Sequence, residues 1–185
     1  MAKLDVFKRL APLLARAIPV AVASRKPRRP ICRLRVYYYD THAPCTYLLL
    51  QPATAQWRAQ LFAKHGKEGP AYHWLSTEDW GDLPGIDFEG RGEIAALFAQ
   101  VYDLLCDDED KWMVPFRRML QRVCRSLNGD DWRSVCAVTD DFFVVPADGS
   151  QYFANDYPDI VRSVPAARLK LLRSRGFGPP EEWAD

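Results

Sequence analysis

The chain has 185 residues, long enough for one well-buried core, and a single domain is the expectation at this length. Its hydrophobic content of 48% excludes a disordered chain of the kind that is poor in apolar residues and rich in charge. The formal net charge of +1 excludes a bulk electrostatic attraction to nucleic acid or to an anionic membrane. The five cysteines form no CxxC pair, which favours a reduced, cytoplasmic protein over a disulfide framework.

The first predicted element is an amphipathic helix within residues 1–30, followed by a basic linker. Apolar residues recur there at helical spacing, namely Leu4, Phe7, Ala11, Leu14 and Ile18. We expect Pro12 and Pro19 to bend or bound this helix. Arg16 interrupts the apolar run, which argues against a signal peptide, and the run is too short to span a bilayer.

Residues 31–177 are predicted to form one α+β domain, and residues 178–185 a C-terminal tail. From Ile31 the apolar pattern has a period of two, which is typical of a half-exposed strand. The residues expected to face the core are Cys32, Leu34, Val36 and Tyr38, whereas Arg33 and Arg35 are expected to face solvent or a partner. A turn at 40–44 leads to a second strand at 46–51, so the two strands are predicted to pair as a hairpin.

Helices and further strands are predicted beyond this hairpin. Helices are expected at 53–65, where Gly66 stops the first one, at 92–106 and at 112–127. Strands are expected at 132–139, 142–146 and 151–154, with a hairpin turn at Asp148 and Gly149. A helical turn near Pro158 and a helix from Pro165 to Gly176 follow. This order predicts an α+β fold with an antiparallel sheet of about five to six strands packed with four to five helices.

Few local motifs support catalysis or cofactor binding. Residues 90–95 match the GxGxxA outline of a dinucleotide site, but no buried strand long enough for such a site precedes the glycines. The acids at 107–110 fit a helix N-terminus better than a metal site. Asp140 and Asp141 are interpreted as turn residues. We therefore expect no enzyme activity, no cofactor and no metal.

The most informative part of the sequence is residues 72–89, here called the acidic–aromatic segment. It combines large aromatic side chains with clustered carboxylates in a loop that glycines and prolines interrupt. Such a combination can form an acidic recognition surface or a catalytic cleft. The candidate partner-binding residues are Tyr72, Trp74, Glu78, Asp79, Trp80, Asp82, Asp87, Phe88 and Glu89.

One family resemblance bears on this choice. The order of a Tyr- and Val-rich hairpin, a helix with Trp57, the run YHWLSTEDW, a helix pair and the run VCAVTDDFFVVPADGS spans roughly residues 31–175. It resembles a family of small bacterial proteins of unknown biochemical function that occur beside polymorphic toxins and are thought to act as immunity proteins. The family's "W-S-x-x-E-W"-like segment is matched by Trp74, Ser76, Glu78 or Asp79, and Trp80, with Leu75 as a departure.

The resemblance implies a cytoplasmic, antitoxin-like immunity protein that binds one cognate toxin, most naturally a basic one, and covers its active site without catalysis. Two other classes stay open. One is a small enzyme with an active site near His73, Glu78 and Asp79, which a deep cleft with a strongly shifted pKa would support. The other is a nucleic-acid-binding module that uses the basic C-terminal helix and Arg117, Arg118, Arg122 and Arg125, which salt-sensitive binding to RNA or DNA would support.

Overall fold

The structure, a computed structural model, describes residues 4–38, 48–69, 74, 82–88, 90–148 and 153–179, with the backbone alone at 87, 148 and 153–157. Within these ranges the helices are α1 (Asp5–Ser24), α2 (Ala55–His65), α3 (Glu93–Asp107), α4 (Glu109–Leu127), α5 (Phe153–Ser163) and α6 (Ala166–Ser174). The strands are β1 (Ile31–Tyr38), β2 (Leu48–Thr54), β3 (Ile86–Phe88) and β4 (Val138–Asp148). The predicted α+β class is therefore confirmed.

The predicted antiparallel sheet of five to six strands is wrong. The described strands form one four-stranded mixed sheet in the order β3-β2-β1-β4. β1 pairs antiparallel with β2, with Leu34 opposite Pro52, so the pairing expected of the first two strands is confirmed. On its other side β1 pairs with β4 in parallel, with Leu34 opposite Val144. Six helices lie in the described ranges: the N-terminal α1, predicted as an extension, and five more, which match the four to five helices predicted for the domain itself.

Most of the difference arises after residue 131. Trp132–Ser134 is a 3-10 turn rather than a strand, and the two strands expected at 132–139 and 142–146 are one strand, β4. The strand expected at 151–154 is wrong because Phe153 begins α5. Gly149, in the predicted hairpin turn, and the turn at 40–44 lie outside the described residues. Asp140 and Asp141 prefer a turn locally, but the tertiary contacts of Asp141 described below keep this part of β4 extended.

The main core lies between one face of the sheet and a layer formed by α1, α3 and α4. Leu34, Val36 and Tyr38 are fully buried in this core, as their alternation predicts. α1 contributes Leu10, Leu14 and Ile18 to the same core, all fully buried, so this helix is part of the domain's interior. Pro12 and Pro19 both lie inside α1, where they bound neither end.

The other face of the sheet is also covered, and here the prediction for β1 is wrong. Arg33 and Arg35, expected to face solvent or a partner, are 0% and 1% exposed because the fold itself covers them. Smaller apolar clusters lie outside the main core, one around Trp57 on α2 and one that joins Phe143 of β4 to Leu172 of α6. A strand in the middle of a sheet covered on both faces is buried at every position, whatever its polar pattern.

The helix boundaries follow local chemistry closely. Thr54 caps α2 because its side chain accepts a hydrogen bond from the backbone N–H of Trp57. Gly66 ends this helix with a positive φ of 55°, a conformation that glycine adopts without strain. Asp108 caps α4 by accepting from the N–H of Lys111, which confirms that the acids at 107–110 mark a helix start.

Side chains cover part of the outer edge of β4. Asn128 donates to the carbonyl of Val144 (2.7 Å) and accepts from its N–H (2.9 Å), while Arg168 donates to the carbonyl of Phe142. Backbone groups that are bonded in this way cannot pair with an added strand. Among the described helices, none is both long and apolar enough to cross a membrane.

Candidate functional site

The structure describes the side chains of three of the nine predicted partner-binding residues: Trp74, Asp82 and Phe88. Asp87 is described by its backbone alone. The other five lie outside the described residues: Tyr72, Glu78, Asp79, Trp80 and Glu89. His73, the histidine of the enzyme hypothesis, also lies outside them. The described contacts of the acidic–aromatic segment are those of Trp74 and Asp82, on either side of residues 75–81, and of β3.

Trp74 is fixed in the interior. Its ring stacks on Phe143 of β4, with centroids 4.3 Å apart and planes 18° from parallel. Its Nε1–H donates a 2.7 Å hydrogen bond to the carbonyl of Phe177, and the side chain is 2% exposed. An indole that is buried with its N–H satisfied contributes to folding rather than to a surface. Trp74 therefore holds the chain against the sheet just before residue 75.

Asp82 is fixed at the other end of residues 75–81. Its carboxylate accepts from the backbone N–H of Thr54 (3.0 Å) and from the Thr54 hydroxyl (2.6 Å). Arg29 lies 4.0 Å from the same carboxylate, and the carbonyl of Leu83 accepts from Gln51. These contacts hold the chain against β2 immediately after residue 81, so Asp82 has a structural role besides its charge.

Phe88 does not lie on the surface that the sequence suggests. β3, which contains Ile86 and Phe88, pairs antiparallel with β2, with Phe88 opposite Leu48. Both side chains belong to the main core and are less than a tenth exposed. Trp74 and Phe88 are the two aromatic candidates whose side chains are described, and both are interior residues.

A buried charge network lies on the face of the sheet that carries Phe143, opposite the main core. Asp141 of β4 is fully buried and accepts from Arg58 of α2 at 3.1 and 3.2 Å and from the hydroxyl of Thr139 at 2.6 Å. Arg175, just after α6, lies 3.3 Å from Asp141. The interpretation of Asp140 and Asp141 as turn residues is wrong, because both lie inside β4. The ion pairs compensate the cost of burying the carboxylate.

Asp140, the exposed neighbour of Asp141, forms a two-pronged pair with Arg175, with N–O distances of 2.5 and 2.7 Å. The Arg175 guanidinium lowers the pKa of Asp140 from 3.8 to about 2. Because the folded-state pKa is the lower one, this pair stabilises the fold above the unfolded pKa, and the contribution is lost as the pH falls towards 2. The exposed position keeps that contribution small.

This pair gives a direct prediction. Arg175→Ala should raise the pKa of Asp140 towards 3.8, because the hydrogen bonds to the charged form are removed. Arg173→Ala, a change at an exposed arginine of α6, should leave it unchanged. The measurement is an NMR titration of the Asp140 carboxyl carbon, and a wild-type pKa near 3.8 would contradict the pairing.

Sequence reasoning missed the buried arginines. The Arg33 guanidinium lies 4.5 Å from the centroid of the Trp57 ring, and Arg35 donates a 2.6 Å hydrogen bond to the Tyr37 hydroxyl. The Arg58 guanidinium lies 3.9 Å from the Phe177 ring. Arginine tolerates such burial because its planar cation stacks on aromatic rings. Tyr37, two positions after Arg35 on the same strand, was the signal that the local sequence offered.

The cysteines at the core are unsuited to nucleophilic chemistry. Burial raises the pKa of the Cys32 thiol to about 11, and burial raises that of Cys124 as well. A thiol with a raised pKa stays protonated at neutral pH and is a poor nucleophile. Cys32 instead donates to the carbonyl of Thr54 at 3.3 Å. These two side chains pack as small apolar residues.

The basic helical face of the nucleic-acid hypothesis is partly engaged within the fold. Arg117 bonds the buried Asp159 at 3.3 Å, and the same carboxylate accepts from Gln121 at 2.5 Å. Arg125 donates to the carbonyl of Arg162 at 3.1 Å. Arg118 and Arg122 are exposed. The arginines predicted to act together thus divide between internal contacts and solvent.

No group of three or more His, Cys, Asp or Glu side chains converges on a possible metal position among the residues that the structure describes. Comparison with known proteins adds no relative: no protein-family model matches the chain, and no curated protein or solved structure is significantly similar to it.

Proposed function

We propose that the protein is an antitoxin-like immunity protein that binds a cognate bacterial toxin through residues 75–81 of the acidic–aromatic segment and occludes it. The observation that supports this proposal is the attachment of both ends of those residues to the sheet. Trp74 stacks on Phe143 at one end, and Asp82 bonds Thr54 at the other. Between these two attachments the sequence contains Glu78, Asp79 and Trp80.

Attachment at both ends favours recognition for an energetic reason. A segment whose ends are already held loses less conformational freedom when it binds than a free tail does. Glu78 and Asp79 would attract a basic partner over long range and raise the rate of encounter. Trp80 would supply a large apolar contact of the kind that dominates binding energy at interfaces.

The resemblance to immunity proteins adds support. Together with the contacts above, it assigns different roles to the residues of the run from Trp74 to Trp80. Trp74 is interior, so its contribution is to hold the segment in place. Trp80 is the candidate contact with the toxin, and Glu78 and Asp79 are the candidate complementary charges. Many toxins act on nucleic acid and are basic, which fits an acidic binding segment.

The kinetic prediction separates the two kinds of residue. Reversing both charges in Glu78→Lys with Asp79→Lys should slow association with the toxin and weaken its dependence on salt, because steering acts on the encounter rate. Trp80→Ala should instead speed dissociation, and the binding free energy should weaken by about 2 kcal/mol if the residue is a hot spot. Surface plasmon resonance with the candidate toxin, the product of the adjacent gene, at several salt concentrations measures both rates.

The control is Asp103→Lys, which reverses an exposed charge on α3, outside the segment. It should leave the dissociation rate unchanged and alter association only slightly. Association and dissociation rates that stay at wild-type values in both segment variants would remove residues 75–81 from the interface.

A further inference from the structure

An open groove lies between α1, β3 and the start of α3. Its volume is about 1020 Å³, and its lining is mainly apolar: Leu13, Ala17, Val20, Ile86, Phe88 and Ile94. Ile86 and Phe88 belong to the main core, whereas Val20 is 68% exposed on the rim. The groove therefore connects the interior of the fold to an exposed apolar strip on α1.

Three arginines also line this groove: Arg16, Arg25 and Arg91. All three are exposed, and none forms an ion pair with a described residue. No described lining residue is acidic. An apolar surface beside cations that no described carboxylate pairs with is complementary to an apolar surface that carries carboxylates.

We propose that this groove docks a segment of a partner protein whose apolar side chains are flanked by two carboxylates. Arg16 lies inside α1 and Arg25 directly follows its last residue, so the two cations flank the apolar residues Ala17 and Val20 along the chain. One carboxylate would pair with Arg16 and the other with Arg25, while the apolar side chains cover Ala17 and Val20.

Other occupants fit this arrangement less well. A fatty acid has one carboxylate, so it would leave two of the three arginines without a partner, one more than the proposed segment does. A nucleic acid would supply many charges but would leave the apolar lining without a partner. The volume is also at the upper end of the range for small-molecule pockets, about 300–1,000 Å³, which suits a longer chain.

The inferred surface goes beyond the proposed function and does not depend on it. The acidic–aromatic segment is suited to a basic partner, whereas the groove is suited to an acidic one. The two surfaces can therefore be tested separately, with different variants and different probes.

The probe is a phage-displayed library of random 12-residue peptides selected on the full chain, followed by affinity measurement on the synthetic forms of the enriched peptides. We expect the enriched peptides to combine apolar residues with at least two acids. Replacing those acids by their amides should weaken binding at least tenfold, because Arg16 and Arg25 then lose the carboxylates that pair with them.

Variants of the chain locate the binding. Arg25→Glu and Val20→Glu, both at exposed positions of the groove, should each weaken binding at least tenfold without changing the fold. Arg28→Glu changes the net charge as Arg25→Glu does, but at an exposed arginine that does not line the groove, and should have little effect. Circular dichroism checks that each variant is folded.

Four outcomes would overturn the proposal. They are a selection that enriches no peptide, enriched peptides without acids, peptides that bind Val20→Glu as tightly as wild type, and equal losses in Arg25→Glu and Arg28→Glu. Binding to phosphatidylglycerol vesicles or to single-stranded RNA that the same groove variants abolish, with no peptide enriched, would assign the surface to a membrane or a nucleic acid instead.

Discussion

Replacing Asp141 with alanine should lower the free energy of unfolding by about 3–5 kcal/mol, as expected when one partner of a buried ion pair is removed. Asp141 is fully buried and accepts from Arg58, which is only 6% exposed. Without the carboxylate, the Arg58 guanidinium would remain buried and uncompensated. Urea unfolding followed by circular dichroism and tryptophan fluorescence gives the free energy directly.

Two controls separate the buried pair from its exposed neighbour. Asp140→Ala removes the surface partner of Arg175 and should cost less than about 1 kcal/mol, because exposed ion pairs contribute little. Arg58→Met combined with Asp141→Leu should recover much of the loss, because no unpaired charge is then buried. Equal losses for Asp140→Ala and Asp141→Ala would contradict a supporting role for the buried network.

Replacing Trp74 with alanine should cost about 3–5 kcal/mol of stability, the usual effect of truncating a buried Trp. The change removes the stacking on Phe143 and the hydrogen bond to the carbonyl of Phe177. Trp74→Phe keeps a ring on Phe143 but leaves that carbonyl without its donor, so the loss should be smaller. Denaturant midpoints and slopes of the two variants provide the comparison.

Trp80→Ala is the matched change within the same motif. If Trp80 contacts the toxin, this variant should keep nearly wild-type stability and lose affinity, the opposite of Trp74→Ala. Similar stability losses in the two tryptophan variants would show that Trp80 is also a core residue and would leave the proposed interface without its anchor.

The parts of the fold that the sequence predicted are those set by neighbouring residues. The alternation of Leu34 and Val36 with arginine identifies which face of β1 meets the main core. Thr54 and Gly66 bound α2 through contacts within a few positions. Asp108 marks the start of α4 in the same way. Each signal depends on chemistry inside one short window, which a single sequence contains in full.

The parts that were missed depend on residues that are distant in sequence. Arg33 is buried next to Trp57 of α2, and Asp141 is paired with Arg58, 83 positions away. The parallel pairing of β1 with β4 joins Leu34 to Val144 across more than a hundred residues. Local preference therefore indicated solvent or a partner surface for Arg33 and a turn for Asp141, and the tertiary contacts overrode both.

The candidate site shows the same division. The motif around Trp74 identified a stretch of chain that is held to the sheet at both of its ends. Composition alone could not distinguish an interior indole from an exposed one. The groove beside α1 was also missed. It forms only because α1 packs next to β3, which is more than sixty positions away in the chain.

Protection from the toxin is the measurement that tests the central proposal most directly. The proposal requires a cognate toxin, for which the product of the adjacent gene is the candidate. Cells that express this candidate toxin are grown with wild-type protein, with Asp103→Lys, or with Glu78→Lys, Asp79→Lys and Trp80→Ala combined. We predict that the first two restore growth and that the triple variant, shown by circular dichroism to be folded and equally abundant, does not. Full protection by the folded triple variant, or no protection by the wild-type protein, would contradict the proposal.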